Sequence, residues 1–311
     1  MDALTRAHSR TDHERVIRID RDQRRGWLAG SLFALGAGLI ANSLLGPLVA
    51  DVISYPFSES VWNQTIGLEA VTLFLVAPLC IFAGILMVRG HPAASPVAFG
   101  PAAYTAYMML QYVIGPEYDH YPGVLPLHLA LFILGAGIAV AAWGAIDRVR
   151  LPELSRRSER RYGILLLALA AFIVSRYLPA LFAGLQGEPL TAEFRADVSM
   201  YWSIVLLDLG IVVPATIAAA VALISDAPWG PKSLYAIFGW FALVPPSVAA
   251  MGIAMVVNDD PNGSTREAIV LTVAAAAFAG LAVWVYRPLF DGRGVPVPAR
   301  RGADMRRHEG G

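Results

Sequence analysis

An all-α fold of the polytopic transmembrane class, a bundle of eight helices, is what this chain predicts, and three observations carry it. Its 311 residues are 56% hydrophobic and only 15% charged, against about 25% charged in a water-soluble domain. The apolar residues come in blocks of twenty or so, the length that crosses roughly 30 Å of hydrocarbon at 1.5 Å per residue. Between the blocks, the cations fall on alternate sides. Only helices and closed barrels satisfy their own backbone in lipid, and barrel strands would be short and alternating.

Residues 1–26 form a polar, arginine-rich arm, expected to be cytoplasmic and unstructured. A full-length span at 27–47 follows, which reads as a retained helix rather than a cleaved signal. Further spans are expected at 66–88, 96–115, 123–146, 163–185, 200–225, 232–257 and 268–290. That makes 27–290 the membrane domain and 291–311 a second disordered cytoplasmic tail.

Of the 24 Lys and Arg residues, 21 lie on one side, in the termini or in alternate loops. Only Arg195 and Arg266 lie on the other side, and Arg176 lies within a span. Positive charge stays inside, so both termini are expected in the cytoplasm and the protein in the cell membrane. The opposite loops carry acids such as Glu59, Glu117, Asp197 and Asp260. Glycosylation patterns at Asn63 and Asn262 fall on that side and read as chance matches. Lys232 is the only lysine, a bias that suggests a prokaryotic source. Cys80 is the only cysteine, which excludes an intramolecular disulfide and a thiolate metal site.

The chain also aligns with itself. A shift of 136 residues puts Arg24-Arg25 on Arg160-Arg161, Pro78 on Pro214 and Pro92 on Pro228. Two four-helix repeats, 24–148 and 160–290, would share one orientation, related by an axis along the membrane normal. Pro245-Pro246 has no counterpart and is expected to kink the seventh span. Small-residue patches at Gly36-Ala37-Gly38 and Gly135-Ala136-Gly137 suit close helix packing, within the chain or between copies.

Ionisable groups inside spans are expensive and face protein or trapped water. Arg176 and Asp208 each sit about eight residues from one end of adjacent spans, roughly 12 Å deep. Opposite charges at matching depth predict an ion pair, serving either as a clamp or as a pair shared with a ligand or proton path. Glu69 reads either as a snorkelling carboxylate or as a site residue. His128 reads as a packing histidine or a titratable one. Tyr104, Tyr107 and Gln111 fall on one stripe of the third span at about 100° per residue, with Tyr112 beside it. A buried tyrosine needs a partner, so the stripe is expected to face the bundle. All these groups map to the half away from the arginines. A polar cavity opening on that side is therefore expected, built from Glu69, Tyr104, Tyr107, Gln111, His128, Arg176 and Asp208.

No phosphate loop, metal motif or nucleophile motif occurs, so no cofactor or metal is expected, and nucleic-acid binding is unsupported. Leu207-Asp208-Leu209-Gly210 running into Val213-Pro214, then Pro228-Trp229-Gly230, together with the tyrosine-rich stretch from Tyr104 to Tyr112, Gly115, Tyr118 and Pro126-Leu127-His128, resembles a family of uncharacterised prokaryotic multi-pass integral membrane proteins. The resemblance implies a membrane bundle and draws interest to Asp208, Tyr104 and His128, without implying an activity. The leading expectation is binding or transport of a small ligand or ion in the lipid bilayer. An intramembrane enzyme acting on a lipid-linked substrate, and a structural or accessory subunit, remain the alternatives.

Overall fold

Helix follows helix through the whole computed structural model, which describes residues 2–191 and 194–291, with side chains from residue 22 onward. Among the described residues there is no strand. The helices are α1 (Asp2–Leu45), α2 (Glu59–Val88), α3 (Ala94–Ile114), α4 (Leu125–Ala145), α5 (Arg156–Leu185), α6 (Val198–Ile224), α7 (Gly230–Val257) and α8 (Thr265–Leu289). All but α3 are long and apolar enough to cross a membrane. Their outward faces carry bare apolar side chains, among them Phe74, Val140, Phe172 and Leu185 at 59–83% exposure. An apolar surface on that scale requires lipid or protein against it. This is a multi-pass membrane protein.

α1 differs from the expectation at its start. The helical backbone begins at Asp2 and runs through the arginine-rich arm without a break. Where side chains are described, Asp22 and Arg25 stand 3.9 Å apart, an opposite-charge pair at the spacing that supports an exposed helix. The expected tail lies outside the described residues beyond Asp291.

Two prolines shape the second helix of each half. A proline lacks an N–H and its ring collides with the carbonyl four residues back. Pro78 and Pro214 each have that carbonyl inside a widened π-helical turn, Thr72–Val76 and Asp208–Val212. The wider turn absorbs the clash without ending the helix. α7 answers Pro245-Pro246 differently: it stops at Phe241 and restarts at Val244, the expected kink.

In the first half, α1 packs on α2 and α4, and α3 lies between α2 and α4. In the second half, α5 packs on α6, α6 on α7, and α7 on α8. The halves meet reciprocally. α3 crosses the first part of α7, α2 lies along the second part of α7, and α3 reaches the start of α6. Glycines permit these crossings. A methyl on Gly100 would stand 2.6 Å from the Gly239 carbonyl oxygen, and one on Gly67 would stand 2.4 Å from that of Ala250. From the small-residue patches, a methyl on Gly135 would stand 2.9 Å from the Ala102 carbonyl oxygen of α3, and one on Gly36 would stand 3.0 and 3.2 Å from the Ile81 side chain and Ala77 carbonyl oxygen of α2.

At the acidic end, each half clasps the other through a polar side chain near the start of a helix. Asn63 Nδ2 donates to Asp260 Oδ2 at 3.0 Å, and Ser199 Oγ donates to Glu117 Oε1 at 2.8 Å. Ser60 Oγ and the Asn262 backbone N–H donate to the other Asp260 oxygen at 2.9 and 2.8 Å. Burial pushes the Asp260 carboxyl up, but these donors outweigh it and hold the group below its ordinary value of 3.8. The Asn63 and Asn262 amides are both spent in this clasp.

Two tests address this architecture. Gly67→Ala and Gly100→Ala force backbone apart and should each cost about 1–3 kcal/mol in denaturant or thermal unfolding, whereas Gly137→Ala, with no atom within 4 Å of the added methyl, should cost nothing. Because its folded-state pKa is depressed, the Asp260 clasp contributes fully above the unfolded value near 3.8 and fades as pH falls through the folded value. Stability of the wild type should therefore drop on acidification through that window, and Asp260→Asn should remove that component of the drop.

Candidate functional site

A buried polar chain occupies the seam between α1, α2 and α4. Glu69 enters it from α2, three residues before the π-turn, and is 1% exposed. Asn42 and Ser43 enter from α1 at 1% and 0%. Asn42 Nδ2 donates to Glu69 Oε1 at 3.1 Å, and Ser43 Oγ donates to Oε2 at 2.5 Å. With its N–H turned to the carboxylate, Asn42 presents Oδ1 to the His128 imidazole of α4, 3.1 Å from Nε2. That orientation places the hydrogen on Nε2. Nδ1 is left as a buried acceptor with no partner.

The loop after α1 closes the chain. Tyr55, 6% exposed, brings its hydroxyl to 3.1 Å from the same Nε2. Its ring stacks on Tyr112 at 4.9 Å and on His128 at 5.7 Å. Burial, with the Glu69 charge adding to it, holds the Tyr55 phenol far above its ordinary range. It is a neutral hydroxyl at any working pH. The Tyr112 hydroxyl is near enough to Glu69 for each to sense the other, yet it is buried and makes no well-formed hydrogen bond.

A second carboxylate sits where α3, α5 and α6 meet. Asp208, the first residue of the second π-turn, is half-buried. Tyr107 of α3 donates to Oδ1 at 2.6 Å, and Tyr177 of α5 donates to Oδ2 at 2.5 Å. Short O–H···O⁻ bonds of this kind are the strong ones. Tyr104, one turn before Tyr107, pairs instead with Ser247 Oγ of α7 at 2.7 Å. α3 is thus the spine of both sites, with Tyr112 at one and Tyr107 at the other.

The seven residues expected to share one cavity divide. Glu69 and His128 join a single packed chain, with Tyr104 fully buried nearby. Tyr107 and Asp208 form the second site. Gln111 is buried on α3 and makes no side-chain hydrogen bond among the described residues. The expected Arg176–Asp208 ion pair does not form. Arg176 is exposed, and no carboxylate lies within 4.0 Å of it among the described residues. The reason is angular: one residue along a helix turns the side chain by about 100°, and Tyr177 takes the inward position.

Sequence reasoning missed Asn42, Ser43, Tyr55, Tyr177 and Ser247. Asn42-Ser43 was available as a polar pair inside an apolar block, and Tyr177 as the neighbour of a charge already noticed. Tyr55 had no signal, because only the fold of its loop carries it inward.

No protein family, curated protein or solved structure matches the chain.

Removing the exposed cation and removing an inward hydroxyl should differ sharply. Arg176→Gln should leave unfolding stability within about 0.5 kcal/mol, whereas Tyr177→Phe strips a donor from Asp208 and should cost about 1–3 kcal/mol. Equal effects in chemical denaturation of the purified protein would contradict the assignment of Tyr177, and not Arg176, as the Asp208 partner.

Proposed function

We propose that this chain is a binding or transport-type protein of the cytoplasmic membrane that takes up a proton or a small cation at the Glu69–Asn42–His128 chain. The observation that carries the reading is a carboxylate buried in a membrane bundle with neutral donors around it and no guanidinium or ammonium on it among the described residues. An uncompensated charge in such a place costs several kcal/mol. Neutrality requires one proton on the Glu69–His128 pair, or one bound cation. The unpartnered His128 Nδ1 supplies a second place for a proton.

Asp208 with its two tyrosines is the counterpart in the second half. The π-turns at Thr72–Val76 and Asp208–Val212 lie 136 residues apart, the same offset as the prolines that follow them. Val88 and Ile224 end their helices at that offset, and Ala94 and Gly230 begin theirs. This register supports a duplication of four helices. In it Asp208 aligns with Thr72, one turn beyond Glu69. π-turns accommodate a change of helix register at low cost and recur at functional positions. Their presence beside both carboxylates suits a protein in which protonation or cation binding is coupled to a shift of α2 against α7 and of α6 against α3.

The reading takes α3 as the eighth span. Its 21 residues reach about 31 Å, and its tyrosines and Gln111 lower its hydropathy only because it faces protein. Both termini then lie with the arginines in the cytoplasm.

The test is melting of the full-length protein in a fixed lipid environment between about pH 5 and 8, with sodium, potassium or neither. Wild type should show a pH- or cation-dependent shift that Glu69→Gln abolishes and Asp208→Asn retains in part. Parallel curves for wild type and Glu69→Gln across all conditions would overturn the reading.

A further inference from the structure

We propose that the groove between α1 and α4 at the arginine-rich end is a binding site for one anionic phospholipid, its phosphate held by Arg24, Arg25 and Arg150 and an acyl chain lying along α4. The site lies at the opposite end from the polar chains above and does not depend on their role. It encloses about 1250 Å³, ample against the roughly 300–1,000 Å³ of ordinary ligand pockets.

The two helices diverge to make it. Toward the acidic end they touch, since a methyl on Gly38 of α1 would run to 2.6 Å from Leu131 of α4. Toward the arginine-rich end they part. Methyls added at Gly137 and Gly144 of α4, which line the groove, would meet nothing within 4 Å. Small residues in membrane helices ordinarily bring backbones together. Here they face open space. From Ala130 to Ala145 the groove follows α4 for about 22 Å, long enough for an acyl chain in one leaflet. Its floor is apolar, with Leu28, Ile133, Leu134 and Ile138 contributing.

The mouth has the complementary charge. Arg24, Arg25 and Arg150 line it together with Asp147 and, at the edge, His91. Arg25 meets Asp22 at 3.9 Å and Arg150 meets Asp147 at 3.7 Å, both partly exposed. Ion pairs that long and wet hold their arginines weakly, so a phosphate can recruit them at little cost. Trp27, 73% exposed, stands at the rim, as tryptophans do at headgroup level. A cytoplasmic leaflet is the anionic one, and the arginine-rich end is the end expected to meet it. An acyl chain with a neutral headgroup would fill the floor but bring no net negative charge to the arginines. Free phosphate would match the arginines but leave the floor empty.

The experiment titrates the full-length protein in neutral detergent with phosphatidylglycerol, phosphatidylcholine or inorganic phosphate, following melting and the lipid retained in native mass spectrometry. Phosphatidylglycerol should raise the melting temperature and be retained with roughly tenfold or greater preference over phosphatidylcholine, and phosphate alone should do nothing. Gly137→Leu, which grows into open space, should melt like wild type without lipid and lose the phosphatidylglycerol response. Arg24→Gln/Arg25→Gln/Arg150→Gln should bring the two lipids toward parity. Equal responses of wild type to both lipids, a response to phosphate alone, or a phosphatidylglycerol response that survives in Gly137→Leu would each overturn the proposal.

Discussion

The contact on which the arrangement depends is backbone against backbone, Gly100 of α3 on Gly239 of α7. Neither helix carries a side chain at the crossing, so the two halves approach to the distance their main chains allow. From that crossing the rest is placed. α3 is pinned between the halves, and its tyrosines reach α7 through Tyr104 and α6 through Tyr107. α2 is laid along α7, where Gly67 again admits the Ala250 carbonyl. Larger residues at these glycines would separate exactly the surfaces that hold Glu69 and Asp208 near α3.

Both carboxylates face one physical difficulty, a charge removed from water without a cation beside it, and the halves meet it differently. Around Glu69 the answer is enclosure: an amide, a hydroxyl, an imidazole and the Tyr55 hydroxyl supplied by a loop. Around Asp208 the answer is two short tyrosine bonds with the site left half-buried. The difference follows from the fourth helix of each half. α4 packs on α1 and brings His128 to the first site. α8 has no matching broad contact with α5; Tyr162 and Trp284 meet at 5.7 Å near the arginine-rich end. α5 is accordingly the most lipid-exposed helix of the bundle, with Ile164, Phe172 and Phe182 at 59–63% exposure.

Prolines and glycines divide the remaining work by position. Pro78 and Pro214 each follow by six residues the first residue of a widened turn, Thr72 and Asp208. Pro245-Pro246 breaks α7 just where it passes from contact with α3 to contact with α2, so that Ser247 can turn toward Tyr104. Glycines at crossings are filled by backbone, whereas those flanking the α1–α4 groove are filled by nothing from the chain itself. The same residue type thus marks both close backbone crossings and the open groove.

The amino-acid sequence alone determined the class. Apolar blocks of spanning length leave the backbone no other way to satisfy itself in lipid, so the helices, their number within the ambiguity of the tyrosine-bearing α3, and the break at Pro245-Pro246 were legible. It also marked which positions carry polar groups where they are costly: Glu69, Tyr107, His128 and Asp208 were visible as exceptions inside apolar runs. Only the tertiary structure decided which of them meet. Depth along a span fixes one coordinate, and Arg176 matched Asp208 in that coordinate; the rotation of α5 then gave the inward place to Tyr177. Tyr55 came from a loop whose path no periodicity encodes, and Asn42 was one polar residue among many until α4 set His128 against it. Pairing across a bundle depends on helix rotation and neighbour order, and both are fixed by side-chain packing summed over whole interfaces, not by any single residue that can be read in the chain.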